Sequence, residues 1–94
     1  MRDGSVMEIV LLSQDHCKWC DDAKAILERI TPAYPASFVV VDLDSAAGRE
    51  LAARGGVLFP PGLFIDGDLF SYGRLSQRKL ARELDQQLSN RDQR

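Results

Sequence analysis

Residues 13–25 read SQDHCKWCDDAKA, and the rest of the chain is organised around this stretch. It contains the only two cysteines of the protein, Cys17 and Cys20. An apolar, strand-like run precedes the pair and a helix-like run follows it. Two cysteines three apart at such a junction can close a small disulfide ring, and a helix start lends positive potential to the sulfur at its tip. We therefore expect that sulfur to lose its proton easily.

Hydrophobic periodicity around the cysteines predicts a strand, a helix and another strand. Residues 6–12 are apolar apart from Glu8 and predict a buried strand. Apolar residues then recur at helical spacing from about Cys17 until Pro32 ends the pattern. Residues 38–41 are largely β-branched, which predicts a second central strand.

A short helix is expected next. Asp44 or Ser45 can cap its start, and glycines at 55 and 56 favour its end, since glycine adopts left-handed backbone at little cost. The residues expected to face inward are Ala47, Leu51 and Ala52.

The last third of the chain predicts a hairpin and a final helix. Residues 63–70 have strand-turn-strand form around Asp66-Gly67-Asp68, and Ser76 can cap a helix with leucines one turn apart. Those leucines are Leu80, Leu84 and Leu88. The order β-α-β-α-β-β-α predicts an α/β fold with a mixed sheet and helices on both faces. Residues 1–5 and 89–94 are expected to be polar tails.

Composition narrows the classes of function. With 94 residues, 45% of them hydrophobic, we expect a single domain over 1–94 with its core at about 6–88. The net charge is −2 and the basic residues are scattered, so nucleic acid is not an expected partner. The apolar run at 9–12 is too short for a signal-peptide core or a membrane span, which predicts a cytoplasmic protein with no membrane partner. Reducing cytosol favours a catalytic, redox-sensing or metal-binding role for a lone cysteine pair.

The element order, the Cys-x-x-Cys pair and a proline just before the hairpin resemble the glutaredoxin branch of the thioredoxin-like fold, from about Met7 to Leu88. The resemblance implies a four-stranded mixed sheet. The motif CKWC at 17–20 lies where this family has its active-site motif. Pro61 takes the place of the family's cis-proline, beside the nucleophile.

The resemblance also implies the roles of the motif residues. Cys17 is the nucleophile at the helix tip, and Cys20 is the resolving thiol one turn inside. The pKa of such a nucleophile is commonly lowered to about 7 or below. Lys18 favours the thiolate, whereas the carboxylates at 15, 21 and 22 oppose it. Trp19 offers an aromatic face to the substrate.

Several positions depart from the family pattern for glutathione binding. Gln14 stands where a lysine is usual, and Pro60, before the cis-proline, has no N–H for the substrate. In the segment that binds the glutamyl end, Gly73 is kept, while Arg74 stands near the place of an acidic residue. Arg74 can instead attract a carboxylate.

The favoured hypothesis is a thiol-disulfide oxidoreductase acting on disulfide-containing proteins or small-molecule disulfides, with Cys17 and Cys20 as its catalytic pair. Glutathione is a candidate cosubstrate, a thioredoxin-type reductase is a candidate donor, and we expect a monomer with no tightly bound cofactor or metal. Two alternatives are a module binding an iron-sulfur cluster or metal, and a redox-sensing adaptor without turnover. Two ordinary buried thiols are a simpler reading, and a zinc site would have at most three ligands here, from His16 and the two cysteines.

Overall fold

The computed structural model describes residues 6–92 and confirms the predicted order of elements. One short 3-10 turn is added after the first helix, where Pro32 stops the α-helical pattern. The elements are β1 (Met7–Ser13), α1 (Lys18–Ile30), the 3-10 turn (Thr31–Ala33), β2 (Ala36–Asp42), α2 (Ala46–Gly55), β3 (Gly62–Ile65), β4 (Asp68–Tyr72) and α3 (Gln77–Asp92).

The four strands form one mixed sheet in the order β2-β1-β3-β4. β1 pairs parallel with β2 and antiparallel with β3, and β3 pairs antiparallel with β4. The prediction that residues 38–41 form a central strand is wrong, because β2 is an edge strand. Val39 is accordingly 57% exposed. β-branched residues favour any strand, so this composition predicted the strand but not its place in the sheet.

Helices cover both faces of the sheet, as expected. On one face, Leu27 of α1 and Leu80 and Leu84 of α3 are fully buried against residues of β1 and β3. On the other face, Ala52 of α2 packs in a smaller cluster with Leu12 and Phe64. β1 and β3 are thus covered on both sides.

The ends of α2 are as predicted, but its inward face is shifted. The Oγ of Ser45 caps the start by accepting from the N–H of Gly48 at 3.0 Å, and Gly56 ends the helix with φ of 76°. Ala47 is exposed, so its expected inward position is wrong. Gly48 is buried instead. Its backbone lies so close to the carbonyl of Asp42 that an added Cβ would collide with it. The start of α2 therefore lies directly against the end of β2.

α3 is longer than the sequence suggested. Its Ser76 cap is confirmed, with the Oγ accepting from the N–H of Lys79 at 3.2 Å. The helix continues to Asp92, so the prediction of a tail from Ser89 is wrong as far as residue 92. Residues 1–5 and 93–94, predicted as tails, lie outside the described residues.

Within residues 6–92, none of the helices has the length and apolar character needed to cross a bilayer.

Candidate active site

Sheet register brings three chain segments to one edge of the molecule. Leu12, near the end of β1, pairs with Gly62 at the start of β3, and Gly62 pairs with Tyr72 at the end of β4. The loop that follows β1 and leads to Cys17 therefore shares an edge with the residues just before β3 and just after β4. We call residues 14–20, 58–61 and 72–74 the site edge.

The two cysteines form a disulfide at the start of α1, and they differ in environment. Cys17 is the N-cap with extended backbone, and its Sγ accepts a hydrogen bond from the backbone N–H of Cys20 at 3.1 Å. Cys17 is partly exposed, whereas Cys20 is buried among core residues. Of the two sulfurs, Cys17 is thus the one that both faces solvent and lies at the helix N-terminus, where anions are stabilised.

The loop before Cys17 turns the chain sharply. His16 has φ of 58°, a left-handed backbone conformation that is uncommon for residues other than glycine. Four residues, 14–17, lead from the end of β1 into α1, and the turn at His16 sets Cys17 at the helix tip.

The two residues between the cysteines both face solvent. Lys18 Nζ lies 3.9 Å from Asp22 Oδ1, one helical turn along α1, and both side chains are exposed. An exposed ion pair of this kind contributes about 0 to 1 kcal/mol to the free energy of unfolding. It orients the Lys18 ammonium toward Asp22, one turn further along the helix. The indole of Trp19 is 44% exposed.

The peptide bond between Pro60 and Pro61 is cis, and Pro61 comes directly before β3. Its carbonyl accepts from the N–H of Gly73 at 2.7 Å, which ties the segment before β3 to the one after β4. Gly73 has φ of 81°, and a Cβ there would lie 2.8 Å from the Phe59 ring. The structure thus brings Pro60, Pro61 and Gly73 together at the site edge.

An aromatic pair at this edge was not identified from the sequence. The rings of Phe59 and Tyr72 meet edge to face with centroids 5.3 Å apart. Phe59 is nevertheless 49% exposed, and its neighbour Leu58 is 77% exposed. The available signal was a run of three apolar residues, 57–59, between a glycine pair and a proline pair, outside every predicted strand and helix.

The two remaining predicted residues differ in their surroundings. The amide of Gln14 donates to the carboxylate of Asp44, with distances of 3.2 and 3.4 Å to its two oxygens. Arg74 is exposed and directly follows Gly73. The position where glutathione-using relatives carry a lysine is therefore held here by a neutral amide beside a carboxylate.

Among residues 6–92, no group of three or more His, Cys, Asp or Glu side chains is arranged to hold a metal ion.

Comparison with known proteins agrees with this architecture. Residues 9–70 match the family model described as Glutaredoxin. No curated protein matches the chain.

Three solved structures illustrate the similarity of fold. Glutaredoxin C1 from Populus tremula x tremuloides, in its holo form, is 26% identical with a TM-score of 0.64, over 92% of this chain and 79% of that one. Glutaredoxin 1 from Francisella tularensis, complexed with cacodylate, is 24% identical with a TM-score of 0.54, over 88% and 98%. The oxidised mitochondrial thioredoxin 3 from Saccharomyces cerevisiae is 21% identical with a TM-score of 0.65, over 85% and 77%.

Proposed function

This chain belongs to the glutaredoxin family, and on that premise we propose that it is a thiol-disulfide oxidoreductase whose reactive pair is Cys17 and Cys20. One observation carries the proposal: the pair forms a disulfide at a helix N-terminus, with one partly exposed and one buried cysteine. A structural disulfide has no need of an exposed member. An exchange reaction needs an exposed sulfur to attack and an inner sulfur to resolve.

In the reduced protein, the thiolate of Cys17 attacks one sulfur of a substrate disulfide. A bond forms between Cys17 and that sulfur, the substrate's own S–S bond breaks, and the other substrate sulfur leaves as a thiolate that takes a proton. Cys20 then loses its proton and attacks the Sγ of Cys17, which closes the internal disulfide and releases the second substrate thiol. The substrate gains two electrons and the protein loses them.

The chain's own groups support each step. The N-terminus of α1 and the N–H of Cys20 stabilise negative charge on Cys17. The Cα atoms of the two cysteines are 5.2 Å apart, within the range of disulfides, so the second step needs no rearrangement of the backbone. Pro60 keeps a carbonyl that can accept a hydrogen bond from a substrate backbone at the site edge.

The proposed substrates are mixed disulfides of glutathione and disulfides of proteins or small molecules. The proposed donor is glutathione or a thioredoxin-type reductase, since a thiol from outside must reopen the internal disulfide in every cycle.

The test is turnover of a glutathionylated peptide with free glutathione as the only electron source. We expect turnover by the unaltered protein, none by Cys17→Ser, and a trappable mixed disulfide in Cys20→Ser. Equal activity of Cys17→Ser and the unaltered protein would refute the proposal.

Three other outcomes separate a different electron donor from the two alternative functions. If the pair cycles with dithiothreitol but not with glutathione, the protein is an oxidoreductase supplied by another donor. If no disulfide is turned over and partner binding changes on oxidation, it is an adaptor. A coloured protein that loses its colour in Cys17→Ser is a cluster-binding module.

A further inference from the structure

We propose that two copies of this chain associate through β2: the outer edge of β2 pairs antiparallel with β2 of a second copy, and the two sheets become one. This association does not depend on the oxidoreductase function. The sequence predicts a monomer, but the place of β2 at the edge of the sheet, which makes the pairing possible, is set by other segments of the chain.

The edge strand lacks the features that usually prevent pairing with another chain. Edge strands are commonly short or bulged, or they carry lysine or proline. β2 runs for seven residues, Ala36–Asp42, and pairs with β1 residue by residue without a bulge. Its sequence ASFVVVD has no lysine, arginine or proline, and Asp42 at its end is its only charge. Within residues 6–92, no strand pairs with its outer side. Such an edge is open to a further strand.

The bonds at the two ends of β2 show which of its backbone groups point outward. The N–H of Met7 donates to the carbonyl of Pro35, and the N–H of Leu43 donates to the carbonyl of Ser13, both at 2.8 Å. Successive residues of a strand direct their backbone groups to opposite sides, so the odd-numbered residues of β2 bond to β1. The backbone groups of residues 36, 38, 40 and 42 therefore point away from the sheet.

Two of these outward groups already have partners. The N–H of Ala36 donates to the carbonyl of Tyr34 at 2.8 Å. The carbonyl of Asp42 accepts from the N–H of Ser45 at 3.0 Å and from its Oγ at 2.6 Å, which occupies both lone pairs. The remaining outward groups are the carbonyl of residue 36, both groups of residues 38 and 40, and the N–H of residue 42. They have no partner in the sheet, since β2 is its edge.

One register of two copies of β2 satisfies all of the remaining groups. Antiparallel pairing about a two-fold axis at Val39 sets Phe38 opposite Val40 of the second copy, and these two residues exchange both of their backbone hydrogen bonds. The same register sets Ala36 opposite Asp42 of the second copy, where the N–H of Asp42 donates to the carbonyl of Ala36. An axis at residue 38 or 40 would instead require the N–H of Ala36 or the carbonyl of Asp42, which are already bonded.

The side chains agree with this register. Phe38 packs against the core on the side of α1 and α3, and Val41 packs against the cluster under α2. Because side chains alternate along a strand, Val40 lies on the first face and Val39 on the second. Val39 is 57% exposed and Val40 is 45% exposed. In the dimer Val40 meets Phe38 of the second copy and Val39 meets its own copy, and apolar cross-strand pairs of this kind stabilise a sheet.

Charge does not oppose the pairing. The acidic residues of this region, Asp42 and Asp44, lie at one end of β2. Because the two strands run in opposite directions, these carboxylates come to opposite ends of the interface, and no like charges face each other across it. Ser13, at the end of β1 that leads to the cysteines, pairs with Asp42. The two site edges therefore lie at opposite ends of the joined strands, and both stay open.

The first test is sedimentation equilibrium from about 10 μM to about 1 mM protein, with dithiothreitol present so that no dimer is linked by a disulfide. The variants are Val39→Lys and Val39→Glu, which place two like charges opposite each other on the two-fold axis. The matched control is Leu58→Lys, which puts the same charge at a residue that is 77% exposed and lies outside β2.

We expect the unaltered protein and Leu58→Lys to dimerise alike as concentration rises. Each Val39 variant should dimerise at least about tenfold more weakly, because like charges directly opposite destabilise a strand pair. An equimolar mixture of Val39→Lys and Val39→Glu should regain the dimer, since opposite charges then meet on the axis. This recovery distinguishes a lost interface from a damaged fold.

The second test measures the register by crosslinking, in chains that also carry Cys17→Ser and Cys20→Ser. Residues in a non-hydrogen-bonded antiparallel pair have Cα atoms about 4.5 Å apart, within the range of a disulfide, so Val39→Cys should link two chains on mild oxidation. Ser37→Cys lies on the same face of the strand, but its two copies would be roughly 13 Å apart along the interface and should not link.

A chain that stays monomeric over the whole concentration range would overturn the inference. A dimer that is equally stable in both Val39 variants would also overturn it, as would a mixture of the two that stays monomeric. Equal crosslinking of Ser37→Cys and Val39→Cys would refute the register. Disulfide turnover by Cys17 and Cys20 is measured separately, so none of these outcomes bears on the oxidoreductase function.

Discussion

The backbone N–H of Cys20 donates a hydrogen bond to the Sγ of Cys17 at 3.1 Å, so the first cysteine of the motif caps the helix that contains the second. The same N–H remains available when the disulfide is reduced. A hydrogen bond to an ionised acceptor favours the charged form, and the helix N-terminus acts in the same direction.

The first prediction concerns the two thiols of the reduced protein. Cys17 should be alkylated at lower pH than Cys20, because Cys17 lies at the N-terminus of α1 and accepts from the Cys20 N–H, whereas Cys20 is buried within the helix. The measurement is the rate of iodoacetamide labelling at each cysteine against pH, followed by mass spectrometry. Lys18→Gln should leave the labelling profile of Cys17 nearly unchanged, because the ammonium is exposed and paired with Asp22. Identical profiles for both cysteines would contradict the assignment of the nucleophile.

The second prediction uses two glycines with similar backbone and different surroundings. Gly73→Ala should lower the free energy of unfolding by about 2 to 4 kcal/mol, from left-handed backbone and from the contact with Phe59. Gly56 has φ of 76°, and no atom lies within 4 Å of an added Cβ. Gly56→Ala should therefore lower the free energy of unfolding by only about 1 to 2 kcal/mol. Urea denaturation of both variants measures the difference. Equal losses of unfolding free energy would show that the Phe59 ring moves away from the added Cβ at no cost.

The third prediction concerns the residue before the cis peptide bond. Pro60→Val restores a backbone N–H at the site edge and should raise kcat/KM for a glutathionylated peptide about two- to tenfold, the worth of one hydrogen bond. Pro32→Val, at an exposed proline of the 3-10 turn, controls for the general effect of losing a proline and should change nothing. If Pro60→Val is also without effect, the weakness for glutathione lies at Gln14 or Arg74.

The fourth prediction is a dependence of stability on alkaline pH. The O–H of Tyr34 donates to Asp85 Oδ1 at 2.6 Å. This bond, with smaller contributions from desolvation and from the charge of Asp85, raises the pKa of Tyr34 above its ordinary value of 10.0. A group whose pKa is higher in the folded state stabilises it below the unfolded pKa, and this stabilisation is lost as pH rises through the folded pKa.

Tyr34→Phe should therefore be less stable than the unaltered protein by about 1 kcal/mol at about pH 8, and the difference should narrow above about pH 10. Thermal or urea unfolding of the two proteins across this range measures it. A constant difference would mean that Tyr34 does not titrate differently in the folded and unfolded states.

Local signals in the sequence were sufficient for much of the fold. The positions of β1 and α1 follow from hydrophobic period, and the hairpin follows from Asp66-Gly67, where both residues have positive φ. Ser45, Gly56 and Ser76 act as caps, as expected from side-chain and backbone chemistry that operates within one helical turn.

Two errors concerned positions that depend on a distant segment. β2 was expected to be central, but its place at the edge depends on which strands pair with it, not on its own residues. Ala47 was expected to face inward, but Gly48 does, because Asp42 approaches the start of α2 too closely for a side chain.

The sequence by itself determined the order of elements, the reactive pair at the start of α1 and the proline before the hairpin, because each depends on residues close together in the chain. Only the tertiary structure decided that Gln14 contacts Asp44 and that Phe59 lies against Tyr72 and Gly73. These contacts join segments far apart in sequence. The first forms because β2 pairs parallel with β1, which sets Asp42 opposite Ser13, and the second because β3 and β4 pair antiparallel, which sets Tyr72 opposite Gly62.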